Sequence, residues 1–401
     1  MEMILTNKFK SLSSALLMSM LMIGPAFGAL LPHTTNADAI LEDQVTTVKA
    51  KVLSIDSTSD ESLPGGSGAR VPTQQIHVEI LEGAGKGTAV DFSNDYPIQL
   101  SVGDQFYLRK MVVAESGQIF YTVSDPYRLN WIFIFIGIFV LLVVVFGGKQ
   151  GVRGLASLAG SLLLILYVLI PSILHGYSPI AASIGVASLI IVLGSYITHG
   201  FNKTTTSAVA GMIVTVGLVG MLAHFAVAVN RFTGFATEES VYLNLNTGGH
   251  IDFVGLLLGG MLIGLLGVLY DAAIGQAISV EELHSVAPHL SRWTIYKRAI
   301  RIGREHIGAL VNTLAIAYVG VSLPLLLLFS TNDTPFWQII NRENFAAEII
   351  RTMIGSIGLV LAVPVTTLLA TLILIRKKHS HVDASKIEEE QKELEHFHHH
   401  H

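Results

Sequence analysis

From Trp131 almost to the C-terminus, long apolar stretches follow one another with only short polar interruptions. They fall at about 131–147, 155–174, 179–198, 207–229, 253–270, 308–329 and 354–375. A stretch of roughly 20 apolar residues matches the thickness of a bilayer's hydrocarbon core, and a helix satisfies its own backbone hydrogen bonds there. Seven such stretches predict an α-helical polytopic membrane protein. Composition agrees, with 51% hydrophobic and 14% charged residues and a mean hydropathy of +0.57. An ordinary soluble domain carries about 25% charged residues.

The N-terminal segment has its own logic. Lys8 and Lys10 precede an apolar core from about Leu12 to Leu31, Gly24-Pro25 breaks it, and Ala26 and Gly28 are spaced like a signal-peptidase site. Residues 1–31 therefore read as a signal anchor or a cleaved signal peptide. Retained, the segment brings the expected crossings to eight, and either way the next region lies outside. That region, 38–128, changes character. The runs "VTTVKAKVLSI", "QQIHVEIL", "TAVDFSN", "QFYLRKMVVA" and "QIFYTVSD" are rich in β-branched and aromatic residues, with "SLPGGSGAR", "EGAGKGT", "SVGD" and "ESGQ" as turns between them. Five short strands in so little chain predict a small β-barrel of the OB or SH3-like kind, suited to binding a partner.

Charge sets the expected orientation. With residues 38–128 outside, the inner loops of the helical region (131–378) hold Lys149, Arg153, Lys203, Arg292, Lys297, Arg298, Arg301, Arg304, Arg376, Lys377 and Lys378. The outer loops hold Arg231, Arg342 and Arg351. Eleven cations against three is the positive-inside pattern. It places both termini, including a short tail at 379–393, on the inner side; residues 394–401 read as a histidine tag. A net charge of −5 argues against a nucleic-acid partner, and the lack of cysteine excludes disulfides and thiolate metal sites. His250, His284, His289 and His306 lack metal-ligand spacing, and neither a Walker loop nor a GxSxG elbow is present. No cofactor, metal or enzymatic role is expected.

The polar residues among the apolar runs are the functional candidates. In "VGLLLGGMLIGLLGVLYDAAIG", Gly260, Gly264, Gly267, Asp271 and Gly275 recur at helical spacing. Small residues on one face let a second helix approach closely, which would hold Asp271 between helices; the alternative is that Asp271 ends the span, solvated. Gln276 follows. "SVEEL" then reads as a capping box, Ser279 with Glu282, opening a short helix that Pro288 stops at Ala287. A further helix begins near Ser291 with Trp293, Tyr296, Ile300, Gly303 and Ile307 on one face. Lys297, Arg298, Arg301 and Arg304 lie on the other, suited to anionic headgroups. It runs on into the next span, where Arg301 can pair with Glu305 and Asn312 needs a partner inside the bundle. Tyr318 and Ser322 continue the polar content. Pro324, and Pro364 followed by Thr366 and Thr367, interrupt their spans as the broken helices of transporters do, or serve as packing kinks. His224 lies inside a span, as a relay or as a histidine satisfied by a carbonyl. Glu348 and Arg351 form an i,i+3 surface pair by spacing.

Three segments, "LLGVLYDAAIGQAISVEEL", "RAIRIGREHIGALVNTLAIAYVGVSLPLLLLF" and "AAEIIRTMIGSIGLVLAVPVTTLLA", resemble the YibE/F-like family of bacterial multispan membrane proteins. The resemblance covers roughly Leu256 to Ala370, and the anchor, β region and helical region follow the same layout. One departure is Tyr270 before Asp271, where the family's motif has two successive acids. The resemblance implies a bacterial cytoplasmic-membrane protein of permease-like type with no established substrate. The expectation is therefore a permease or efflux component for a small solute or ion, its path lined by Asp271, Gln276 and Asn312. The rival from another class is a non-transporting scaffold or assembly factor whose β domain binds a partner. Membrane lipids are expected neighbours, and self-association or a protein partner through the β domain fits either reading.

Overall fold

The computed structural model describes residues 44–375 apart from 63–69, 84, 96–97, 115 and 332–333. The expected N-terminal anchor, the 379–393 tail, the tag and the cations Arg376 to Lys378 lie outside the described residues. The chain divides into two units between Phe146 and Gly147.

The first unit contains a five-stranded antiparallel sheet: β1 (Gln44–Ser62), β2 (Arg70–Ile80), β3 (Ala89–Asn94), β4 (Gln105–Val112) and β5 (Ile119–Pro126). Strand order is β3-β2-β1-β4-β5. The expected strands occur because alternation puts one face inward: Ala50, Val52, Ile76, Val78, Phe106 and Leu108 form its core. Gly103 (φ 97) supplies the left-handed corner of "SVGD", closed by Asp104 accepting from the Ser101 amide at 2.8 Å. The sheet curls, so Phe92 on one edge strand meets Tyr121 on the other with ring centroids 6.3 Å apart. Gln74, buried on β2, pins the 95–100 loop: its Oε1 accepts from the Leu100 amide and from Asn94 Nδ2 at 2.8 and 3.0 Å. Its Nε2 donates to the Leu100 carbonyl at 3.0 Å.

The rest is helical. α1 (Leu129–Leu164) is interrupted at Gly148, whose φ of 54° and ψ of −138° leave the helical region. It continues through a π-helical turn (Ile165–Leu169) into α2 (Ile170–Leu174). The second unit then has α3 (Pro179–His199), α4 (Lys203–Asn230), α5 (Glu238–Asn246), α6 (Phe253–Val286) and α7 (Arg292–Val321). α8 (Leu323–Ser330), α9 (Phe336–Ile340) and α10 (Glu343–Leu374) complete it. Among the described residues, five helical segments are long and apolar enough to cross a membrane, or six if α7 and α8 count together. The pair bends by 59° at Ser322, where Pro324 enters the first turn of α8.

α6 is the central rod, with residues such as Leu262, Leu269, Ala273, Ala277 and Val280 buried against its neighbours. The capping box expected at Ser279 is absent because α6 continues unbroken to Val286. Ser279 instead donates to the Gly275 carbonyl one turn back, at 2.8 Å. The helix ends where expected, at Ala287 before Pro288. α7 starts at its predicted cap: Ser291 Oγ accepts from the Thr294 amide at 3.2 Å.

Candidate functional site

The polar interior of the second unit centres on α6 and α10. Gln276 is 2% exposed, and its Oε1 lies 2.8 Å from Thr367 Oγ1. The same hydroxyl lies 2.6 Å from the Val363 carbonyl. A hydroxyl has one proton, so Thr367 donates to one of these oxygens. A Gln276 amide turned to present its nitrogen to Thr367 satisfies all three groups. α7 closes this site through Gly303, where a Cβ would stand 2.6 Å from Gln276 Nε2 and 2.5 Å from Val363 Cγ1. No larger residue fits without displacing the amide. Pro364 adds a second irregularity, since it has no amide to give the Val360 carbonyl.

Two residues on, Thr366 faces α4. It is fully buried, and its hydroxyl has no hydrogen-bond partner. Leaving such a group unmatched costs about 1–3 kcal/mol. Gly211 lies against it so closely that a Cβ there would be 2.9 Å from the Thr366 Cα. Other buried hydroxyls flank the contact. Thr215 donates to the Gly211 carbonyl at 2.8 Å and Ser207 to the Thr204 carbonyl at 2.7 Å. Thr371, further along α10, donates to the Leu368 carbonyl at 2.8 Å. The result is a seam of hydroxyls with one amide, running between α4, α6 and α10.

The structure separates Gln276 from the other residues expected to line one chamber. Gln276 is inside, whereas Asp271, Asn312 and His224 are exposed and Tyr318 is half-buried. The reason is rotational. Asp271 and Gln276 stand five residues apart, about 140° around a helix, so a bundle that encloses one turns the other outward. The glycine face turns outward with Asp271. A Cβ at Gly260, Gly267 or Gly275 would meet nothing within 4 Å, and at Gly264 only the Tyr318 hydroxyl, at 3.5 Å. The close helix contacts are made by other glycines, Gly211, Gly259 and Gly303.

On α7 the cations Lys297, Arg298, Arg301 and Arg304 are exposed, and the buried face is Ile295, Ala299 and Gly303. Trp293 is 61% exposed, stacked on Tyr296, with Lys297 over its ring at 5.2 Å. The ion pairs among the described residues are His77–Asp91, Arg128–Asp125 and Arg351–Glu348. Glu305 is thus not paired with Arg301, while the Glu348–Arg351 pair is formed. The described residues contain no group of three or more metal-ligating side chains.

Two long-range clamps carry no local sequence signal. Glu343, in the first turn of α10, accepts from the amides of Thr233 and Gly234 at 2.8 and 2.7 Å and from Thr233 Oγ1 at 2.8 Å. Gly234 (φ 84) is required there, because a Cβ would collide with the Phe253 carbonyl. At the opposite end of α10, Arg292 donates from Nε and Nη2 to the Ile375 carbonyl. A cation thereby meets the carbonyl end of a long helix, where the macrodipole favours it.

Residues 135–376, more than half of the chain, match the family whose description is YibE/F-like protein. No curated protein and no solved structure matches the chain.

Proposed function

The chain belongs to the YibE/F-like protein family, and from that premise we propose that it is a multi-pass membrane protein that passes a small solute or ion. The β-sheet unit lies outside a bacterial cytoplasmic membrane and the C-terminus inside. Seven crossings follow the sheet: two from Leu129–Leu174, joined at Gly148, then α3, α4, α6, the bent α7–α8 pair and α10. The 46 residues of Leu129–Leu174 support this count. At about 1.5 Å per residue they are more than twice as long as the ~30 Å hydrocarbon core.

The observation that carries the transport reading is the hydroxyl and amide seam. Polar side chains inside a helical bundle are expensive and tend to mark solute pathways. Here they stand beside Pro364, with Thr366 unmatched. Asp271 and Asn312, which face outward, are not part of this path. The test is flux in proteoliposomes loaded with pH- and potassium-sensitive dyes, comparing wild type with Thr366→Val, Gln276→Leu and Asn312→Leu. The seam reading expects the first two to reduce flux severalfold while the third leaves it unchanged. Flux equal to wild type in both seam variants ends it.

A scaffold without transport is the second reading. It is favoured by the tight closure of the seam by Gly211 and Gly303, which leaves little room for a solute. A wild-type protein silent to every probe, yet retained by a partner through its β unit, selects that reading.

A further inference from the structure

The antiparallel helices α1 and α3 leave an apolar groove of about 420 Å³ between them. Ser157, Gly160, Ser161 and Leu164 of α1 line it from one side, and Gly194 and Ile197 of α3 from the other. Two contacts fix the register of the pair. Gln150 Nε2 lies 3.4 Å from His199 Nδ1, and a Cβ on Gly194 would stand 2.8 Å from Ser157 Oγ. Arg153 falls between these contacts, one turn before Ser157 and level with Ile197. It is exposed at the inner mouth of the groove, with Lys149 one turn further out.

Neither cation takes part in the ion pairs formed among the described residues. No Asp or Glu occurs in the chain between Asp125 and Glu238. The groove runs from Ser157 to Val168, about 17 Å at a helical rise of 1.5 Å. That is close to the depth of one leaflet, half of the ~30 Å hydrocarbon core. The π-helical turn Ile165–Leu169 forms its far end. We infer that this groove holds one acyl chain of an anionic phospholipid of the inner leaflet, with the lipid phosphate on Arg153 and Lys149. A guanidinium binds phosphate through paired N–H donors, so Arg153 is the main contact.

The inference rests on the membrane reading, which alkaline carbonate extraction checks separately: release of the chain from membranes would defeat both. The direct test is native mass spectrometry of the full chain in detergent with equal phosphatidylglycerol and phosphatidylcholine. Wild type is expected to retain phosphatidylglycerol preferentially. Arg153→Gln is expected to cut that preference about fivefold, the factor one cation near an anionic surface is worth. Gly160→Phe puts a ring into the groove, which Gly160 lines and where a Cβ meets nothing within 4 Å. It is expected to abolish the retained lipid while circular dichroism stays that of wild type. Equal retention of both lipids by wild type overturns the inference, as does a phosphatidylglycerol complex that survives Gly160→Phe. A preference unchanged in Arg153→Gln assigns it to the α7 cations and also overturns it.

Discussion

Replacing Gly211 by alanine tests whether the α4–α10 contact is as close as the structure places it. The new Cβ would lie 2.2 Å from Thr366 Oγ1, 2.8 Å from its Cβ and 2.9 Å from its Cα. Carbon atoms prefer about 3.5–4.0 Å, and the nearest fixed obstacle is backbone, so no side-chain rotation relieves the clash. The helices must part by roughly 1 Å. Overpacking of this kind costs up to about 3 kcal/mol, while alanine's greater helix preference returns about 1 kcal/mol. The net loss is about 2 kcal/mol, which at about 2–4 °C per kcal/mol for a unit of this size lowers the melting temperature by about 4–8 °C. The assay is thermal unfolding of the purified chain in detergent. Gly260→Ala is the matched control, since its Cβ would meet nothing within 4 Å and only the helix preference acts. That variant is expected to melt higher than wild type. A Gly211→Ala protein as stable as wild type would refute the packing argument. A Gly260→Ala protein that melts lower would show that the outward glycine face is packed against something, such as a second copy.

Other outcomes follow from the clamps and caps. Glu343→Ala removes three hydrogen bonds to a carboxylate, each worth about 1.5–3 kcal/mol at most; limited proteolysis is expected to cut the 231–252 segment many times faster. Arg292→Ala uncaps α10, costing about 1–2 kcal/mol, and amide exchange is expected to rise at the end of α10 and the start of α7 with little change elsewhere. Glu239 has its carboxyl held below the usual range by its own backbone amide and by Thr237. A lowered carboxylate pKa stabilises α5 above the unfolded value of 4.5, and this contribution is lost as pH falls through the lower folded value. Amide protection at 238–246, taken relative to the unfolded exchange rate at each pH, is expected to fall below that pH, and Glu239→Gln to abolish the change.

Length and alternation made the framework legible. The strands from Gln44 to Pro126 lie close to the predicted runs because each puts every second side chain into one core. Helices such as Pro179–His199 are stated outright by their apolar length and by a proline at the start. Local signals failed where packing outweighed them. Ser279 and Glu282 have the spacing of a cap, yet Ala277 and Val280 are fully buried on the same rod, and ending α6 there would expose them. The site was half legible. Gln276, Pro364, Thr366 and Thr367 stand out as polar or kinked positions in apolar runs, but Asp271 drew attention by its charge alone. Its angle from Gln276 argues against a shared chamber even before a structure is at hand. Gly211, Arg292 and Glu343 were not legible, because each acts on a partner roughly 80 to 155 residues away in the chain.

The Arg292 contact has a mechanical corollary. α7 is tied at its first residue to the last carbonyls of α10, and its other end terminates in the bend at Ser322. A rod fastened at one tip swings and does not slide, so any displacement of α7 grows with distance from that fulcrum. Motion would therefore reach Tyr318 and the α8 elbow with the greatest amplitude, while Gly303, eleven residues from the anchor, would move less than half as far against Gln276.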